Sequence, residues 1–188
     1  MTFVTDFADQ AVVLPLIATV ALVLGILGWR RGAVGWLAAV GASFASVVVL
    51  KLGFLDCADT VGLPLLRSPS GHTAAAAVIV GGFAVMLGCG RSATLAAAGL
   101  GALIIGATRI ALGMHSLLEV IVGGAVGVAG ALGFAIIAGR APRLRLQWVF
   151  ASVAMVALLL HGRHLDAEPR IRLVAFSLPF CSGAHIRP

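Results

Sequence analysis

Long apolar blocks separated by short polar connections run the length of the chain. Blocks holding at most one charged residue cover 11–29, 32–50 (reaching 55 past Lys51), 72–90, 92–113, 116–139 and 146–160. A helix needs about 20 mostly apolar residues to cross a bilayer core of roughly 30 Å. The first five blocks meet that length, and the sixth, LQWVFASVAMVALLL, meets it only with its flanking residues. The pattern therefore predicts an all-α polytopic membrane protein, a bundle of six transmembrane helices forming one domain over residues 1–188. The connections are too short to hold a soluble domain, and the only sizeable polar segment is the tail, 162–188.

Composition agrees with this. The chain is 61% hydrophobic and 11% charged, with a mean hydropathy of +1.11, whereas a soluble domain is about 45–50% apolar and about 25% charged. These values exclude a water-soluble globule, a disordered chain and a coiled coil. Three cysteines, Cys57, Cys89 and Cys181, are too few for a disulfide framework and lack zinc-site spacing. The net charge of +6 comes from twelve Arg and one Lys, scattered singly and in small groups between apolar blocks. That distribution fits topology anchors, and nucleic acid is not an expected partner.

The cations also orient the chain. Arg30 and Arg31 fall in the first connection, Arg91 in the third, and Arg140, Arg143 and Arg145 in the fifth. The positive-inside rule places these connections in the cytoplasm. The first ten residues, with two Asp and no cation, then face outward, and they read as the lead-in to a retained span, not as a cleaved signal. Trp29, Trp36 and Trp148 lie near the inner ends, where an interfacial aromatic belt is expected. The tail arginines Arg163, Arg170, Arg172 and Arg187 lie outside if the sixth block crosses and inside if it does not; the sequence leaves both open.

Charges at bilayer depth are costly, so each is a functional candidate. Lys51, Asp56, Asp59, Arg67, His72, Arg109, His115 and Glu119 all fall at or near the outer ends of spans two to five. Asp56 and Asp59 read as solvated loop residues. Arg67-Ser68-Pro69-Ser70-Gly71-His72 leads directly into an apolar helix. Ser70 and Gly71 there occupy positions where free backbone N–H groups can point at an anion. Thr108-Arg109 is followed by five residues, His115, three residues and Glu119. At a spacing of i and i+4 the last two share a helix face and can hydrogen-bond. A carboxylate on one imidazole nitrogen fixes the tautomer and makes the other a better nucleophile. Gly123 and Gly127 form a small-xxx-small pair suited to close helix packing. The tail group His161, His164, Asp166 and Glu168 has no apolar shell and reads as solvated, so no metal site is expected.

These motifs resemble those of the type 2 phosphatidate phosphatase family, whose site is shared with the vanadium haloperoxidases. The family pattern is a Lys with Arg-Pro a few residues on, then Pro-Ser-Gly-His, then Ser-Arg-x5-His-x3-Asp. Residues 69–72 match the second motif completely, and residues 108–119 match the third with Thr108 for Ser and Glu119 for Asp. The first motif is degenerate: Lys51 is present without a following Arg-Pro, and Arg67 is the candidate replacement cation. The resemblance covers residues 51–127. It implies a phosphatase that needs neither metal nor cofactor and acts on a lipid phosphate monoester or lipid pyrophosphate. Substrates of the phosphatidate, phosphatidylglycerol phosphate or undecaprenyl pyrophosphate class are expected. By that resemblance His115 is the nucleophile, Glu119 orients it, and His72 protonates the leaving oxygen. Arg109, Lys51, Arg67 and the N–H groups around Ser70 and Gly71 bind phosphate. A lipid phosphotransferase on the same site, or a non-catalytic lipid-phosphate binder or transporter, are the alternatives. The expected setting is a bacterial inner membrane with the site on the periplasmic face.

Overall fold

The computed structural model describes residues 6–57, 66, 68–142 and 146–163, with isolated positions 3, 165, 171, 173 and 174; of Asp56 only the backbone is described. A 3-10 turn at Asp6–Ala8 leads into α1 (Gln10–Ile26), α2 (Arg30–Cys57), α3 (Gly71–Met86), α4 (Arg91–Ala111), α5 (Leu117–Ala138) and α6 (Gln147–Leu160). No strand occurs among the described residues. The six apolar blocks thus become six helices.

Local chemistry sets the helix ends. Asp9 caps α1 by accepting the Ala11 N–H at 2.8 Å, Ser70 caps α3, and Ser116 caps α5. Such caps stabilise a helix by about 0.5–2 kcal/mol each relative to Ala. At the other ends of α1 and α3 the same device recurs. Gly28 (φ +85°) and Gly88 (φ +74°) turn the chain in the left-handed region. Trp29 N–H then bonds back to the Leu24 carbonyl and Cys89 N–H to the Ala84 carbonyl, the pairing that ends a helix on a glycine. These fixed ends shorten α3 to 16 residues, so the expected block 72–90 includes the turn at its close.

By length and composition three helices can cross a membrane: α2 over Arg30–Leu55, α4 and α5. The remaining three are apolar but shorter, at 17, 16 and 14 residues for α1, α3 and α6. α3 is the central element, packed by α2, α4 and α5 and buried on nearly every side. Glycines permit that crowding. A methyl group at Gly123 would fall on the Ser70 carbonyl oxygen, and one at Gly127 on the Ala74 carbonyl oxygen. The small-residue pair therefore does what its spacing suggests, bringing α5 against the start of α3.

The tryptophans do not form the expected belt. Trp36 is fully buried, stacks on Phe83 and meets Phe134 edge-on, and its indole N–H donates to the Ile17 carbonyl at 3.1 Å. Trp29 is also buried, and of the three only Trp148 is exposed. Once the indole N–H has an internal acceptor, the large ring gains more by filling the bundle core than by lying at an interface.

The two ends of the bundle differ in chemistry. One end carries Arg30, Arg31, Arg91 and Arg140, with Arg31 Nε donating to the Ile137 carbonyl at 2.6 Å at the C-terminus of α5. A cation there complements the helix dipole. The opposite end gathers the start of α1, the C-terminus of α2, the start of α3, the C-terminus of α4 and the start of α5. α6 returns the chain to this same end. His161 Nε2 lies 3.0 Å from the Phe3 carbonyl oxygen, and Leu165 N–H donates to Asp9 Oδ1 at 3.1 Å. Arg143, Arg145, His164, Asp166 and Glu168 lie outside the described residues.

Candidate active site

The polar groups at that end are organised around Glu119. Ser116 and Glu119 form a capping box at the start of α5, in which Glu119 N–H donates to Ser116 Oγ at 3.2 Å and Ser116 N–H to Glu119 Oε2 at 3.0 Å. The same Oε2 receives His115 Nδ1 at 3.0 Å. The other oxygen, Oε1, accepts the Ser68 N–H at 2.7 Å, across 51 positions of sequence. One buried carboxylate thus closes a helix end, orients an imidazole and fastens the loop that precedes α3. Two backbone N–H groups and the His115 ring nitrogen converge on its two oxygens, a set that a carboxylate has the acceptor sites to receive.

His115 lies in the connection before the cap Ser116, not on the helix itself. The expected hydrogen bond to Glu119 is present, but it is made by the capping box reaching back, not by two side chains stacked along one helical face. Because Nδ1 donates to a carboxylate, Nε2 is the nitrogen that carries the lone pair. Burial pushes the His115 imidazole below its ordinary value of 6.5, against the opposing pull of the Glu119 hydrogen bond and charge. A lowered imidazole is neutral, and so nucleophilic, further into the acid range.

Glu where the resemblance has Asp follows from this geometry. The third helical position of a capping box favours Glu because its longer arm reaches back to the cap N–H. Here that arm also reaches the Ser68 N–H.

The loop before α3 is held from two further directions. Lys51, buried on α2, donates from Nζ to Ser68 Oγ at 2.8 Å. Ser70 N–H donates to the Glu119 carbonyl at 3.0 Å, and Ser70 Oγ accepts from Thr73 Oγ1 at 2.9 Å. Ser70 is fully buried. Its N–H on the Glu119 carbonyl and its hydroxyl oxygen on Thr73 both hold the loop. An anion at this helix start would meet the N–H groups of Gly71 and His72.

His72 opens α3 with a partly exposed ring. Arg109, in the last turn of α4, and Lys51 both act electrostatically on His72 and on His115. Thr108 turns its hydroxyl to the Ile105 carbonyl at 2.7 Å and so closes onto its own helix. Two imidazoles and two cations therefore share one small volume, a set suited to an anion flanked by a nucleophile and an acid. Arg67 lies outside the described residues, as does Asp59. Among the described residues no group of three or more His, Cys, Asp or Glu is placed to hold a metal ion.

One carboxylate was missed at the sequence level. Asp9 is buried and places Oδ2 3.9 Å from His72 Nε2. A lone Asp before an apolar block signals a helix cap, which it is, but nothing local signals its approach to α3.

Cys57, at the end of α2, is disulfide-bonded, while Cys89 is free and exposed at the opposite end; Cys181 lies outside the described residues.

No curated protein and no solved structure matches the chain. Residues 55–143, which carry His72, Arg109, His115 and Glu119, match the family model of the PAP2 superfamily. Members are phosphatases, which supports a phosphoester hydrolase. The assembled imidazoles and cations and this match point the same way: residues 55–143 are similar to the PAP2 superfamily, the family that the motifs resemble.

Proposed function

We propose that the protein hydrolyses a phosphate monoester or pyrophosphate on a membrane lipid through a phosphohistidine. The observation that carries this reading is the His115–Glu119 pair, facing the same cluster as His72, Arg109 and Lys51. His115 Nε2 attacks phosphorus as the bond to the lipid oxygen breaks, and His72 gives that oxygen a proton. Water then attacks the phosphohistidine, passes its proton to His72, and inorganic phosphate leaves. Phosphoryl transfer needs mainly positioning and neutralisation of the equatorial oxygens. Arg109, Lys51 and the N–H groups of Gly71 and His72 supply both in this reading, and Arg67 adds a further cation. Glu119 stabilises the positive ring as the P–N bond forms.

A lipid substrate is supported by an apolar groove of about 370 Å³ between α4 and α5. Ala102, Leu103, Ile110, Leu117, Val120 and Gly124 line it. Ile110 and Leu117 flank the connection that holds His115, so a chain in the groove would end beside the cluster. In this reading the chain crosses six times, with its arginine-rich end in the cytoplasm and its site on the outer face of a bacterial inner membrane. The disulfide at Cys57 accords with that side, because disulfides persist in oxidising compartments.

The test is phosphate release by detergent-purified protein from phosphatidate, phosphatidylglycerol phosphate and undecaprenyl pyrophosphate, in excess EDTA. Release from at least one is expected. Binding without release would overturn the hydrolase reading, and rescue only by added Mg²⁺ would overturn the metal-independent assignment.

A further inference from the structure

We propose that Asp9 is a positioning residue for His72, orienting its ring and setting a negative charge beside it against the surrounding cations as it donates its proton; this rests on the hydrolase reading above. Asp9 lies outside the segment that matches the family model and comes to the site from the opposite end of the sequence order. Its two oxygens are divided between two tasks. Oδ1 accepts the Ala11 N–H at 2.8 Å and the Leu165 N–H at 3.1 Å. These bonds join the start of α1 to the chain leaving α6 and fix the carboxylate plane. Oδ2 is thereby directed at His72 Nε2, 3.9 Å away. That separation is beyond a direct hydrogen bond but well within the range of a strong charge interaction. Asp9 is 8% exposed, so solvent screens the pair little.

His72 needs such a partner. The groups acting on it electrostatically are Arg109 from α4, Lys51 from α2, His115 from the following connection and Asp9 from the start of α1. Three of these are cationic or become so during the reaction. Among the described residues, the Asp9 carboxylate sets a negative charge against them beside the ring. With Nε2 turned to Asp9, Nδ1 is the nitrogen that passes its proton to the leaving oxygen as the phosphorus–oxygen bond breaks. In the second step the same nitrogen takes a proton from the attacking water, and the ring returns to its starting form.

The expected signature is a dependence on the leaving group. A lipid alcohol leaves poorly without a proton, whereas a lipid phosphate, the leaving group of a lipid pyrophosphate, needs little help. Asp9→Asn keeps the shape and, as Asn is as good a cap as Asp, keeps the helix start, while removing the charge. We expect kcat/KM for dioleoyl phosphatidate to fall on the order of tenfold or more in Asp9→Asn, within the range spanned by general acids. For the corresponding diacylglycerol pyrophosphate the fall stays below about threefold by the same argument. Thermal stability is unchanged, and Asp9→Glu recovers part of the loss. An equal fall on both substrates, or none on either, with an active wild type overturns the positioning role alone. A wild type silent on both substrates overturns the hydrolase reading and this inference with it.

Discussion

Glu119→Gln removes one charge and almost no volume, and its consequence can be worked from the distances. Glu119 accepts three N–H donors: Ser68 at 2.7 Å on Oε1, and Ser116 and His115 Nδ1 at 3.0 Å each on Oε2. A glutamine amide has one accepting oxygen. With that oxygen in the Oε2 position, its NH₂ opposes the Ser68 N–H; turned over, it opposes the other two. The better arrangement leaves one buried N–H unsatisfied, at a cost of about 1–3 kcal/mol in stability. Catalysis loses more. In the proposed mechanism the His115 ring becomes cationic as the P–N bond forms, and the Glu119 charge stabilises it. At a charge separation of about 4 Å and an effective dielectric near 20, that is about 4 kcal/mol. Each 1.36 kcal/mol is tenfold in rate, so kcat/KM should fall by on the order of 10³. The assay is phosphate release at matched detergent and lipid fractions, with thermal denaturation run alongside to confirm folding. A folded Glu119→Gln protein within tenfold of wild type would refute the assigned role of the carboxylate.

His115→Ala and His72→Ala should each abolish release from a lipid monoester while the protein still inserts; an active His115→Ala protein ends the covalent mechanism. Burial holds His115 below its ordinary value of 6.5, so the acid limb of kcat/KM should lie below pH 6.5. Removing the opposing Glu119 charge should move that limb lower still in Glu119→Gln, and a rise would show that another group sets it. Cys57 is disulfide-bonded, so a membrane-impermeant maleimide should label it in spheroplasts of a bacterial host only after reduction. Cys89 should label only after permeabilisation; immediate labelling of Cys89 in intact spheroplasts would invert the orientation.

The helices, and the gathering of the motif residues at one end of the bundle, were legible in the sequence because both are written locally. Each apolar block is long enough to select a helix without help from the rest of the chain, and Ser70, Gly88 and Ser116 mark ends by their own backbone preferences. The motifs 69–72 and 108–119 carry their chemistry in short spacings, and their helix-end positions already implied one shared face. What those residues do to one another was not local. Ser70 looked like a phosphate ligand because an exposed helix start offers N–H groups, yet packing against Gly123 puts its N–H on the Glu119 carbonyl. Trp36 sits where a belt residue would, and only the approach of α1 supplies the Ile17 carbonyl that lets it be buried. Glu119 looked like a one-atom departure from Asp; its reach to Ser68 appears only when α5 meets the loop before α3. Asp9 is the plainest case. Its capping role follows from its neighbours in sequence, while its place opposite His72 depends on α1 and α3 starting at the same end of the bundle. Periodicity and hydropathy encode how each segment meets lipid or core. Which polar atoms meet across segments is decided by the rotation and offset of packed helices, which no single segment specifies.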